Sequence, residues 1–257
     1  LPEILAQAVE RGGDGIGASC DGVELTWAEV DARSTRLARH LIDAGAGPET
    51  VVALALHRGL DHLVALCAVA KTGAAFVSID RNHPIDRIDY LVRDSGAVVG
   101  LCRGDVRSLP STTAWHDLSN PELIERVAAR PATPITDADR RGPLRLDHVA
   151  WVLYTSGSTG RPKGVVVSHR GLANLLDFQR NNSRIDSSSR VLAVCSPSFD
   201  ASIYGMLLSW SAGAALVIAP PDTFGGPPLA DLIAREGVTH AVITPAVVAT
   251  MDPDHLA

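Results

Sequence analysis

Residues 154–164, YTSGSTGRPKG, place glycines, hydroxyl side chains and cations in one short loop, a combination suited to holding a polyphosphate. Gly157 and Gly160 let backbone N–H groups approach an anion closely, Thr155, Ser156, Ser158 and Thr159 add hydroxyl donors, and Arg161 and Lys163 bring positive charge. The flanks are short apolar runs, VAWVLY at 149–154 and VVVS at 165–168, so the loop is expected to join two strands. The nucleotide-binding frame G-x4-G-K-S/T is not met. Counted from Gly157, its second glycine falls on Pro162, and a strand pattern follows where a helix should. A Gly/Ser linker would not be expected to carry apolar runs on both sides.

A second cluster is SFDAS at 198–202, where Asp200 precedes a helical pattern. An aspartate there can complement the positive end of the helix, receive a cationic ligand, or do both. Phe199 fits either a pocket or a core position. His169 and Arg170 fall at a strand-to-helix junction, where a satisfied structural histidine is expected. Gly13, Gly15 and Gly17 imitate a dinucleotide fingerprint but precede a strand instead of following one. Cys20, Cys67, Cys102 and Cys195 are far apart, without a C-x-x-C pair or histidines at ligand spacing. They read as core thiols of a reducing compartment, with no metal site expected.

The elements that must position these residues alternate. Residues 16–20 and 23–25 form a hairpin through Asp21-Gly22, and Thr26 with Glu29 makes a capping box for a helix that ends at Gly45. Strand 51–56, helix 61–71 and strand 76–79 form a βαβ unit, Pro84 fits a first helical position, and strand 97–102 follows the stop at Gly96. Beyond a weakly patterned stretch with one short helix near 122–129, strands at 149–154, 165–168, 190–194, 215–218 and 240–243 alternate with helices near 170–179, 201–211, 229–236 and 246–251. The fold class is α/β, with layered βαβ lobes and mainly parallel sheets. The expected division is a lobe over about 1–110, a linker over about 111–147 and a second lobe with the phosphate loop over about 148–257.

The 257 residues, 46% hydrophobic, can bury one large core or two modest ones. A net charge of −6 and no Lys/Arg run longer than two residues offer no attraction to nucleic acid or anionic membranes, and no apolar stretch reaches membrane-spanning length. A cytoplasmic protein without a nucleic-acid or membrane partner is expected.

YTSGSTGRPKGVVVSHRGLANLL resembles the phosphate-loop motif of the adenylate-forming superfamily, which includes amino-acid adenylation domains of nonribosomal peptide synthetases, acyl- and aryl-CoA synthetases and firefly luciferase. LTWAEVDARSTRLARHL at 25–41, AKTGAAFVSID at 70–80 and SFDAS resemble further core motifs in the same order. Ser78 departs from the pattern, which has proline there. The family's N-x-x-G-P-T-E segment, ribose-binding aspartate, hinge and distal lysine have no counterpart before Ala257, so the chain resembles about the N-terminal half of an adenylation domain: two α/β lobes without the complete β-barrel.

The resemblance implies activation of an amino acid with Mg2+-ATP as aminoacyl-AMP and loading onto the phosphopantetheine of a carrier-protein domain. It assigns Thr155, Ser156, Gly157, Ser158, Thr159, Gly160 and Lys163 to the phosphates, and Asp200 to the substrate's α-ammonium. Phe199, Ala201, Tyr204 and Val242 would line the substrate pocket, although the family's L-P-P pattern is altered around Val242. No catalytic residue falls within this stretch, because the family's catalytic lysine lies further on, and these 257 residues alone are expected to bind ATP weakly and catalyse little. An aryl- or acyl-acid CoA ligase and a non-catalytic subdomain fragment are the alternatives.

Overall fold

The computed structural model describes residues 1–156 and 161–252. In chain order the helices and strands are α1 (Pro2–Gly12), β1 (Ile16–Cys20), β2 (Val23–Thr26), α2 (Trp27–Asp43), β3 (Val51–Ala55), α3 (Leu60–Thr72), β4 (Ala75–Ser78), α4 (Ile85–Asp94), β5 (Ala97–Cys102), β6 (Ala114–Asp117) and α5 (Pro121–Ala128). They continue with β7 (Val149–Thr155), β8 (Lys163–Ser168), α6 (Leu172–Ser183), β9 (Arg190–Ala193), α7 (Asp200–Ala212), β10 (Ala215–Ile218), α8 (Gly226–Arg235), β11 (His240–Ala241) and α9 (Pro245–Val248).

These elements form two compact units. The first comprises Leu1–Pro2, Asp31–His57 and Asp61–Leu172; the second comprises Glu3–Val30, Arg58–Leu60 and the chain from Ala173. Among the described residues the first unit holds a sheet in the order β6-β5-β3-β4-β7-β8, parallel except for the β7–β8 pair. Ala53, Val77, Ile79, Ile88, Leu91, Val92 and Val152 belong to its core. The second unit holds a sheet in the order β11-β9-β10-β1-β2, parallel except for β1–β2, over a core that includes Leu192, Leu229, Leu232 and Met251. The α/β class with mainly parallel sheets is therefore borne out.

Local signals act as their chemistry requires. Asp21 and Gly22 both take positive φ, 50° and 75°, the backbone that a two-residue hairpin needs. The Thr26 amide donates to Glu29 Oε2 at 2.9 Å while the Glu29 amide donates to Thr26 Oγ1 at 3.2 Å, completing the capping box of α2. Pro84 stands one residue before α4, with ψ 146°, and is a cap instead of a first helical residue.

The expected lobe boundaries do not follow the observed units. The β1–β2 hairpin joins the second sheet, where Ala18 pairs with Leu216, and the phosphate-loop hairpin joins the first, where Phe76 pairs with Trp151. The stretch taken as a linker contributes β6, which pairs with β5. Element order along a chain carries no information on which distant strand completes a sheet edge, and the chain twice passes from one sheet to the other.

Helix α7 is fixed at its C-terminal end by Gly213. This residue has φ +70°, and a Cβ there would stand 2.5 Å from the Gly12 nitrogen and 2.9 Å from the Ala8 oxygen. Trp27, itself buried, donates its indole Nε1–H to the Gly213 oxygen at 2.9 Å. Gly213→Ala should therefore lower stability by about 2–4 kcal/mol, combining left-handed strain with a backbone overlap. Gly22→Ala, at φ +75° but with nothing within 4 Å of the added carbon, should lose about 1 kcal/mol. Urea-unfolding midpoints of the two variants would make the comparison, and equal losses would refute the close-packing account.

Candidate functional site

In the first unit the described ends of the phosphate loop are held by an antiparallel hairpin, with Tyr154 opposite Gly164 and Thr155 opposite Lys163. Thr155, Ser156, Arg161 and Lys163 are exposed, and among the described residues no carboxylate pairs with Lys163. Gly157, Ser158, Thr159 and Gly160 lie outside the described residues. Gly164 is required by close approach: a Cβ there would meet Val152 Cγ1 at 3.2 Å and the Tyr154 ring at 3.3 Å.

Helix α4 clamps both sides of the hairpin. Tyr90 donates its hydroxyl to the Pro162 carbonyl at 3.0 Å, and Tyr154 donates to Asp94 Oδ2 at 2.7 Å. The two rings meet edge to face with centroids 6.4 Å apart. Burial, then the hydrogen bond to Asp94, raises the Tyr154 phenol well above its ordinary value, so it remains a donor throughout the neutral range. Sequence reasoning missed Tyr90 and Asp94. One signal existed, because a carboxylate in the last turn of a helix opposes the helix dipole and calls for another partner.

His169 follows β8 and is buried; its Nδ1 lies 2.9 Å from the Leu1 nitrogen, while Nε2 has no partner among the described residues. The expected satisfied histidine is thus satisfied at one nitrogen only. Burial, the largest cause, lowers its pKa, which favours the neutral imidazole. Arg170 is exposed and paired with Asp147.

In the second unit, Asp200 is the first residue of α7 and exposed, and its Oδ1 accepts the Ala201 amide at 2.8 Å. It thus complements the helix start, as one of the two readings had it, and no described side chain pairs with its carboxylate. Phe199 is 66% exposed, which excludes the core-aromatic alternative. Ala201 and Tyr204 are half-buried, and helical spacing sets Asp200, Ala201 and Tyr204 along one face. Val242, half-buried, directly follows β11, and its carbonyl accepts from Cys195 Sγ at 3.7 Å. Burial raises the Cys195 thiol, the Arg58 charge opposes this, and the Asp200 charge adds to it.

Arg58, unremarked in the sequence, braces this rim. Its buried guanidinium donates to the carbonyls of Val194, Ala219 (2.7 Å), Pro220 and Thr223 (2.8 Å), just beyond β9 and β10, and lies 5.3 Å from the centroid of the exposed Phe224 ring. A fixed planar fork that spans several carbonyls is a task lysine does not perform.

The family model described as "AMP-binding enzyme" matches residues 5–256. The chain belongs to the AMP-binding enzyme family. Among its relatives, Novobiocin biosynthesis protein H of Streptomyces niveus is 43% identical over 257 residues, which are 99% of this chain and 43% of that protein. Phosphinothricin tripeptide synthetase PhsC of Streptomyces viridochromogenes is 36% identical, over 100% of this chain and 23% of that one. This AMP-binding chain therefore spans less than half the length of these relatives. Among solved structures, the nonribosomal peptide synthetase FmoA3 in its AMPPNP-bound form superposes with TM-score 0.86 at 27% identity, covering 100% of this chain and 27% of that one. The N-terminal subdomain of Klebsiella oxytoca NpsA in complex with 3-hydroxybenzoyl-AMSN superposes with TM-score 0.80 at 28% identity, covering 95% and 59%. The resemblance read from the motifs is borne out.

The α4 clamp generates a direct expectation. Tyr154→Phe or Asp94→Asn should raise amide hydrogen exchange across the β7–β8 pairing by about tenfold, the effect of losing one charge-assisted hydrogen bond. Exchange within twofold of the unaltered protein would show that the hairpin does not depend on the clamp.

Proposed function

We propose that the chain is the N-terminal part of an adenylation domain in nonribosomal peptide synthesis. The substrate is an amino acid whose carboxylate attacks the α-phosphorus of ATP, forming aminoacyl-AMP and releasing pyrophosphate. The acyl group then passes to the phosphopantetheine thiol of a carrier domain. The synthetase relatives and the phosphate-loop motif support the reaction class. Asp200 carries the amino-acid reading: an exposed carboxylate at a helix start, beside the exposed Phe199 and with no described cationic partner, suits an α-ammonium group.

The hairpin fits a triphosphate. Thr155 and Ser156 offer exposed hydroxyls and Lys163 an exposed charge that no carboxylate pairs with among the described residues, all donors to an anion. The reacting carboxylate is already a nucleophile, so this half of the enzyme contributes position and charge compensation as negative charge builds on the leaving pyrophosphate. Mg2+ would accompany ATP through the phosphates, its usual mode of binding, and would neutralise charge there.

Changing Thr155 and Ser156 to alanine in the full-length protein should slow amino-acid-dependent ATP–pyrophosphate exchange by more than about tenfold, as expected when donors to developing charge are removed. A folded variant whose exchange stays within twofold would remove the hairpin from the phosphate site.

The second reading, an aryl- or acyl-acid ligase, is favoured by the likeness to NpsA, whose structure holds a 3-hydroxybenzoyl group. Asp200 separates the two. An ammonium entering a partly desolvated pocket needs a counter-charge, whereas a des-amino acid does not. Asp200→Ala should abolish exchange with the amino acid and spare its des-amino analogue. If the unaltered enzyme prefers the analogue and the substitution changes both alike, the aryl- or acyl-acid reading takes its place.

A further inference from the structure

Along α6, residues 177, 178 and 180 are exposed, while Leu176 and Gln179 are buried. Gln179 is 0% exposed, in a stripe where an apolar residue would cost nothing to bury. Its Nε2 donates to the backbone carbonyl of Tyr204 on α7 at 2.9 Å, and its buried Oε1 has no hydrogen-bond partner among the described residues. The amide cannot be exchanged end for end, because Oε1 would then face the Tyr204 carbonyl, acceptor against acceptor. What remains is an acceptor, anchored beside the residue that shares a helical face with Asp200.

A buried acceptor without a donor is unfavourable in the free protein and becomes favourable when something brings a donor to it. We propose that Gln179 is a specificity-determining residue whose Oε1 accepts a hydrogen bond from the side chain of the bound amino acid, so that the substrate carries an O–H or N–H donor in its side chain. This rests on the reading that the α7 face of Asp200 and Tyr204 holds the substrate. Plain aliphatic and unsubstituted aromatic acids would leave Oε1 unpaired, and ionised acidic side chains would set acceptor against acceptor. A site built around such a bond rejects the analogue that lacks it far more strongly than an apolar pocket discriminates by size.

The test uses the intact adenylation domain and the kcat/KM of ATP–pyrophosphate exchange over matched pairs: tyrosine and phenylalanine, threonine and valine, asparagine and leucine. In the unaltered enzyme a donor-bearing acid should be the best substrate, exceeding its partner by about 100-fold or more. Gln179→Leu should reduce that ratio by about 30-fold, chiefly through loss on the donor-bearing acid. Gln179→Met, close in length, should do the same and guards against a packing defect at the leucine. Equal losses for both members of a pair, or a preference of the unaltered enzyme for the donor-free members, would overturn the proposal. Where neither variant folds, the preference of the unaltered enzyme decides in the same way. Exchange with des-amino acids but with no amino acid would instead refute the amino-acid reading itself, and this inference with it.

Discussion

Parallel strands buried on both faces leave no room for polar chemistry, and this constraint governs where the functional residues stand. β4 and β10 are buried at every position, β3 at every position but its first, and β9 at every position but its two ends. Groups that bind ligands must then be carried where the chain leaves a sheet. The phosphate loop begins at the end of β7, Asp200 stands in the segment that follows β9, and Val242 directly follows β11. Within each unit the candidate residues thus gather at carboxyl ends of strands, the usual place for ligands in open α/β sheets.

Exits from a sheet are loops, and loops that bind ligands must be held. Here the holding groups are mostly polar side chains that bond to backbone or to one another: Tyr90 on the Pro162 carbonyl, Asp94 on Tyr154, Arg58 on the carbonyls beyond β9 and β10, and Trp27 on the Gly213 carbonyl. Tyr90, Arg58 and Trp27 satisfy backbone carbonyls near the ends of strands or helices, and the Asp94–Tyr154 pair joins two side chains. The buried C-terminal part of α7 sets the axis of a helix whose first residue is exposed, so Asp200 is presented by a rigid element and not by a free loop.

A shared fold leaves the choice of acid open, because the reaction needs only a carboxylate and a triphosphate. In the proposed reading that choice would fall to a few side chains on the α7 face and the groups packed against it. In that reading Asp200 would meet the charge on the substrate's α-carbon, and Gln179, bonded to the Tyr204 carbonyl, would meet its side chain.

Much of the local chemistry was legible in the sequence, although Pro84 was placed one position too far into its helix and α1 and β6 gave no signal that was read. The Asp21-Gly22 turn, the Thr26–Glu29 capping box, the apolar strands and the hairpin around residues 154–164 follow from residue types at short range, where backbone conformation and burial pattern decide the outcome. The tertiary structure alone decided which strands share a sheet. Ala18 pairs with Leu216 and Phe76 with Trp151, and such pairings depend on edges that only the assembled sheet creates. It also decided the roles of Tyr90, Asp94, Arg58 and Gln179, whose partners lie between 25 and 165 residues away or, for Gln179 Oε1, are absent among the described residues. A polar side chain announces its hydrogen-bonding capacity in the sequence, whereas its partner is fixed by packing, which brings together groups that chain order keeps apart.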